Sequence, residues 1–96
     1  MDSIARAAKI RADLFTAGYV LRDIDRAFNL PLGTASNTLR EPNPKGEVAI
    51  AAALACEPQK LWPERYELSG QRKSPQPLKN YQKPAPRWQR RIARSA

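Results

Sequence analysis

Between Val20 and Arg40 the chain offers two short helix-patterned segments separated by only two residues, Asn29 and Leu30. In the run VLRDIDRAFNL, Val20, Leu21, Ile24, Ala27 and Phe28 fall on one helical face and Arg22, Asp23, Asp25 and Arg26 on the other. Asn29 tolerates a left-handed backbone better than most residues, so it is placed where that helix must stop. Pro31, with its backbone angle preset, suits the first turn of a new helix. That helix is expected over Pro31 to Arg40, with Ala35, Thr38 and Leu39 buried, and Pro42 and Pro44 end it.

The flanking segments are helical as well. Ser3 can cap a helix over Ile4 to Ala17, whose apolar residues Ile4, Ala7, Ala8, Ile10, Leu14 and Phe15 recur at three- and four-residue spacing, with Gly18 as its stop. A fourth helix is expected from Lys45 or Gly46 to Cys56, with Val48, Ile50, Ala51, Leu54 and Ala55 apolar. A fifth, of a single turn, opens at Pro58, runs through Leu61 and Trp62, and is limited by Pro63. No segment alternates strictly enough, or is β-branched enough, to argue for a strand, so the expected fold is all-α.

Charge divides the chain in two. The net charge is +8, yet from Met1 to Leu68 nine basic residues balance nine acidic ones. The excess is carried by residues 69–96, which hold Arg72, Lys73, Lys79, Lys83, Arg87, Arg90, Arg91 and Arg94, four prolines and no acid. Such a segment cannot bury enough apolar surface to offset the entropy of ordering it. Residues 1–68 are therefore expected to form one helical domain, and residues 69–96 a largely disordered basic tail. Within the tail RWQRRIARSA could form a basic helix against a surface, with Trp88 and Ile92 on one side.

Composition excludes several classes. Without histidine, and with Cys56 as the one cysteine, the chain has neither an internal disulfide nor a plausible zinc ligand set. Cys56 reads as a small buried hydrophobe. Carboxylates are scattered along helix surfaces rather than paired, and no base accompanies the thiol, so catalysis is not expected. No cofactor or small-molecule ligand is implied. The N-terminus lacks the apolar run of a signal peptide, and no stretch approaches the roughly 20 apolar residues of a membrane span. A cytoplasmic protein that does not engage membranes is expected.

Two short helices joined by a tight turn suit a helix-turn-helix, whose second helix lies in the major groove of DNA while the first crosses the backbone. The buried set Ala35, Thr38 and Leu39 leaves Leu32, Gly33, Ser36, Asn37 and Arg40 facing outward as candidate base readers. Asparagine can pair with adenine, arginine with guanine and serine with several base edges, while a leucine can touch a thymine methyl. Gly33 and Ser36 are small enough to let the backbone approach the groove. Candidate phosphate contacts are Arg22, Thr34, Lys45 and Gly46, the last through its amide at a helix N-terminus, although Glu47 could satisfy that amide itself. The eight basic tail residues are expected to add sequence-independent affinity by releasing counterions from phosphates. One position departs from the usual pattern. The fifth residue of such a motif is generally small, and here it is Asp25, whose carboxylate must face solvent or find a partner such as Arg22 or Arg26. Trp62, Pro63 and Tyr66 read as residues that cap the core, Trp62 against the first and fourth helices.

The runs Asp25-Arg26-Ala27-Phe28, Ala35-Ser36-Asn37-Thr38-Leu39, Pro44-Lys45-Gly46-Glu47, Ile50-Ala51, Ala53-Leu54, Pro58 and Leu61-Trp62-Pro63-Glu64-Arg65-Tyr66 together resemble the Ner family of phage repressors and its Ner-like bacterial relatives. The resemblance covers Arg11 to Tyr66, and its most specific part is PKGE followed some fifteen residues later by a WPxRY ending. It implies a five-helix, lambda-repressor-like domain and a transcriptional regulator, in phages a repressor of early transposition genes. Where the family usually has glycine in the turn, this chain has Asn29. The partner so implied is double-stranded DNA. With no long apolar heptad, a monomer in solution that pairs at most on adjacent half-sites is expected. The competing reading is an α-helical adaptor whose Pro-rich basic tail docks onto an acidic partner or anionic membrane.

Overall fold

A computed structural model describes residues 3–81. These residues form five α-helices, α1 (Ser3–Thr16), α2 (Leu21–Ala27), α3 (Thr34–Thr38), α4 (Pro44–Ala53) and α5 (Pro58–Leu61), followed by two single 3-10 turns at Pro63–Arg65 and Leu78–Asn80. Extended pairing among the described residues is a single antiparallel bridge between Tyr66 and Arg72. The described residues thus form an all-α, five-helix domain, as expected.

Three of the helices end in the same way. Gly18 (φ 97°), Asn29 (φ 54°) and Ala55 (φ 54°) each turn the backbone left-handed. In each case the next amide returns to a carbonyl five residues back: Tyr19 to Leu14, Leu30 to Asp25 and Cys56 to Ala51. This closure occupies carbonyls that the helix end leaves without partners. Glycine and asparagine tolerate such a backbone; the alanine at position 55 does so under strain.

The core is built from Ile10 and Leu14 of α1, Ile24 of α2, Ala35 and Leu39 at α3, Ala49 and Ile50 of α4, and Trp62, with Leu21, Leu30, Leu54 and Leu61 packed around it. α3 lies between α2 and α4 and packs on both. Several residues read as core are not in it: Ile4 is 84% exposed and Phe15 73% exposed, and Val20, Phe28 and Val48 also face outward. Helical spacing marks a wide apolar stripe, whereas a domain this small covers only its centre.

Several boundaries differ from expectation; α4, expected to reach Cys56, stops at Ala53 ahead of the left-handed Ala55. The third helix is shorter than Pro31 to Arg40, because Gly33 adopts φ 94° and a left-handed residue cannot sit inside a right-handed helix. Pro31 therefore precedes the helix in a turn whose carbonyl accepts the Thr34 amide at 3.1 Å. The domain also runs past Leu68. Lys73 donates its amide to the Arg65 carbonyl, and Gln76 Nε2 donates to the carbonyls of Arg65 and Lys73. Asn80, buried, donates from Nδ2 to the Glu64 carbonyl and to Gln76 Oε1. Within the segment expected to be largely disordered, residues 69–81 are described and bonded to the domain, because side-chain amides supply the pairing that apolar burial could not. Residues 82–96, including the basic-helix segment, lie outside the described residues.

Candidate nucleic-acid interface

The short helix α3 carries the candidate readers Ser36 and Asn37, with Leu32 and Gly33 just before it and Arg40 just after, and its geometry is imposed from both ends. Asp25 on α2 is only 3% exposed. Its Oδ2 accepts the Gly33 amide and its Oδ1 the Ala35 amide, both at 2.8 Å. The expected alternatives for Asp25, solvent or a pairing with Arg22 or Arg26, are thereby corrected. Two amides at the start of a helix point a partial positive charge at the carboxylate and outcompete exposed guanidinium groups that would have to be ordered.

At the other end, the buried Arg65 donates from Nη1 to the Thr38 carbonyl at 2.9 Å. The same nitrogen meets Glu47 Oε2 at 3.2 Å, and the guanidinium lies over the Trp62 ring, 4.8 Å from its centre. Trp62 is buried, as expected of a core cap. Burial draws Arg65 below its ordinary pKa, and Glu47 opposes that pull.

Glu47 itself is fully buried and serves five donors. Its carboxylate accepts from the Asn43 amide (2.7 Å), the Tyr66 hydroxyl (2.7 Å), Arg65 and both Nε and Nη2 of Arg72 (3.2 and 3.4 Å). Burial, and then donation to this carboxylate, push the Tyr66 phenol above its ordinary range. Sequence reading missed this hub. The available signal was an acid set directly before the apolar run from Val48 to Ala53, with Arg65, Tyr66 and Arg72 among the residues downstream, a pattern that does not specify a pairing.

On the outer side, Leu32, Asn37 and Arg40 are exposed and Ser36 and Gly33 half-buried. Asn37 Oδ1 accepts from Arg40 Nη2 at 3.2 Å, so these two candidate readers are brought together. Leu32 and Gly33 sit on the turn before α3 rather than on it. The Gly33 amide is committed to Asp25, and the Thr34 hydroxyl donates to the Pro31 carbonyl at 2.7 Å.

The candidate phosphate contacts fare unequally. Arg22 and Lys45 are exposed. Gly46 is corrected: it is buried, and its amide already donates to Asn43 Oδ1 at 3.0 Å, the N-cap of α4. A phosphate there would have to displace that cap. The glycine answers a packing demand instead, since an added Cβ would overlap Thr38 Oγ1 and come within 2.8 Å of Thr38 Cβ. Of the basic tail residues, Arg72 is also corrected. It is turned inward onto Glu47, because a buried carboxylate with room for a second cation holds it more firmly than solvent does. Lys73 is half-buried and Lys79 exposed. Lys83, Arg87, Arg90, Arg91 and Arg94 lie outside the described residues.

A compact helical domain with a short helix held between two others, an exposed amide on it and a guanidinium just after it, fits the helix-turn-helix class. Residues 6–77 match the family described as winged helix-turn-helix DNA-binding, and the chain belongs to that family. It is 41% identical over 59 residues to sugar fermentation stimulation protein B of Escherichia coli K12, covering 62% of this chain and 64% of that protein. To the negative regulator of transcription of Escherichia phage D108 it is 39% identical over 59 residues, covering 62% of this chain and 81% of the phage protein. The corresponding regulator of phage Mu is 40% identical over 47 residues, 49% of this chain and 63% of that protein. The Ner-like resemblance is borne out by these phage relatives. The alignment thus spans less than two thirds of the Escherichia coli relative. No solved structure matches this chain. Among the described residues no helix is long and apolar enough to cross a membrane.

Proposed function

We propose that this protein is a sequence-specific transcriptional repressor that reads duplex DNA with α3 and the turn before it. Leu32, Gly33, Ser36, Asn37 and Arg40 meet base edges; Arg22, Thr34 and Lys45 hold phosphates. The observation that carries this reading is the exposed, hydrogen-bonded pair of Asn37 on α3 and Arg40 in the turn just after it, on the side of the helix opposite the fully buried Ala35 and Thr38. Neighbouring amide and guanidinium groups suit adjacent adenine and guanine edges in a major groove. Repression, as against activation, is supported by the names of the two phage relatives. The protein acts as a monomer in solution that pairs at most on adjacent half-sites, in the cytoplasm or nucleoid of a bacterial cell.

The test is selection of bound duplexes from a random pool at about 0.15 M salt, near physiological ionic strength. Enrichment of one motif is expected. On that motif Asn37→Ala or Arg40→Ala costs on the order of 1 to 3 kcal/mol and little on scrambled duplex. Equal loss on both duplexes removes these residues from the reader set. An absence of enrichment overturns the reading and favours an adaptor that recruits an acidic protein.

A further inference from the structure

We propose that Asp25 and Arg65 are positioning residues for DNA recognition, gripping opposite ends of α3 so that discrimination between duplexes depends on two buried charges that do not touch DNA. The inference rests on the reading of α3 as the element that meets bases.

α3 has five residues. Isolated helices shorter than about 12 residues are marginal in water, so the form and aim of this one must be imposed by its surroundings. Apolar packing of Ala35 and Thr38 fixes its depth but is non-directional. The direction comes from hydrogen bonds. Asp25, on α2, uses one oxygen for Gly33 and the other for Ala35, which fixes both the start of the helix and its roll. Arg65, beyond α5, grips the Thr38 carbonyl and is itself fixed by Glu47 and by the Trp62 ring. Neither is a local cap: their partners lie eight and ten residues away for Asp25 and 27 for Arg65. The negative group stands at the N-terminal end and the positive group at the C-terminal end, the arrangement the helix dipole favours.

Burying charge is costly. Apolar residues of similar volume often serve stability equally well, so the gain from these two groups lies in geometry. Base reading requires donors and acceptors held within about 0.5 Å and 10 to 20° of their productive positions. A one-turn helix free to fray or roll would retain phosphate attraction and lose that alignment.

The experiment compares affinity for the selected duplex with affinity for a scrambled one, together with the melting temperature of each variant. The variants are Asp25→Asn, Arg65→Lys and, as a stability control in the core of α1, Ile10→Val. Asp25→Asn keeps the shape of the side chain but loses one acceptor; Arg65→Lys keeps the charge but loses the planar guanidinium that lies over the Trp62 ring and fixes the nitrogen shared by Thr38 and Glu47. Both are expected to lower the selected-to-scrambled ratio about tenfold, with scrambled affinity unchanged, while Ile10→Val lowers the melting temperature and keeps the ratio. Variants that melt earlier yet discriminate as the wild type does would make the clamp merely structural and overturn the proposal. If the wild type selects no duplex, the reading of α3 fails, and this proposal with it. Should a variant not fold, amide hydrogen exchange of the wild type decides. Protection of Gly33 and Ala35 as strong as that of Ile50 supports a helix held closed, and exchange at fraying rates overturns it.

Discussion

Two small residues, Gly46 and Ala55, do opposite things to the stability of this domain. Gly46 is at the first turn of α4 where it crosses α3, and a methyl group there would overlap Thr38, which is fully buried and cannot withdraw. Gly46→Ala is expected to cost about 3 kcal/mol in urea unfolding, at the upper end of overpacking penalties. Combining it with Thr38→Ala, which removes the overlapping oxygen, should recover part of that loss, and a double-mutant cycle reads the coupling directly. Ala55 is exposed and held at φ 54°, where its Cβ is crowded by its own carbonyl. Ala55→Gly relieves that strain and should stabilise the protein by about 0.5 to 1 kcal/mol, read as a raised melting temperature. A loss of stability on that change would mean the Ala55 methyl makes packing contacts worth more than the strain.

At the scale of elements, the polar cluster around Glu47 joins α3, α4 and the segment after α5, and its weakness lies on the alkaline side. The Tyr66 phenol is raised above its ordinary pKa of 10.0 by burial and by its bond to Glu47. Its contribution is therefore full below pH 10, where the unfolded phenol is also neutral, and is lost as pH rises toward the higher native value. Wild-type stability should fall more steeply than that of Tyr66→Phe between pH 9 and 11. At pH 7 the variant should be the weaker of the two by about 1 to 2 kcal/mol, since a hydrogen bond to a charged acceptor is lost. Parallel pH profiles would assign the alkaline loss to other groups. The elements themselves were largely legible in the sequence. α1, α2 and α4 follow from apolar spacing, and the ends of α1 and α2 from Gly18 and Asn29. α3 was overextended because Gly33 shows its left-handed backbone only when folded. Asp25 and Glu47 could not be placed, since each is explained by partners far along the chain, and a charged residue in a helix reads as solvated by default. The residues from Arg72 to Asn80 were misread for a related reason: proline, lysine and glutamine announce disorder unless buried amides find specific carbonyls, and composition does not encode that match.

For the whole molecule, the later domain boundary changes how the basic extension should be probed. Of its eight cations, Lys83, Arg87, Arg90, Arg91 and Arg94 lie beyond Tyr81, while Arg72 is engaged inside the domain. A chain ending at Tyr81 should keep its melting temperature and its selected motif. The fall of log affinity with log salt should become shallower by up to about 0.9 for each phosphate contact removed. An unchanged slope would mean that these five residues do not touch DNA. A chain ending at Gly70 is a poorer probe, because it also removes Arg72 from Glu47 and the amide bonds of Gln76 and Asn80, and it is expected to unfold several degrees earlier.

The tight crossing of Thr38 on Gly46 limits how such a protein can be re-engineered or can diverge. A foreign reading sequence grafted over residues 34–40 brings its own residue to position 38, and anything bulkier than threonine must push α4 away, with Asn43, Glu47 and all that they hold. Under the proposed reading, new specificities are therefore most accessible through exchanges at Leu32, Ser36, Asn37 and Arg40 alone, leaving the scaffold positions between them untouched.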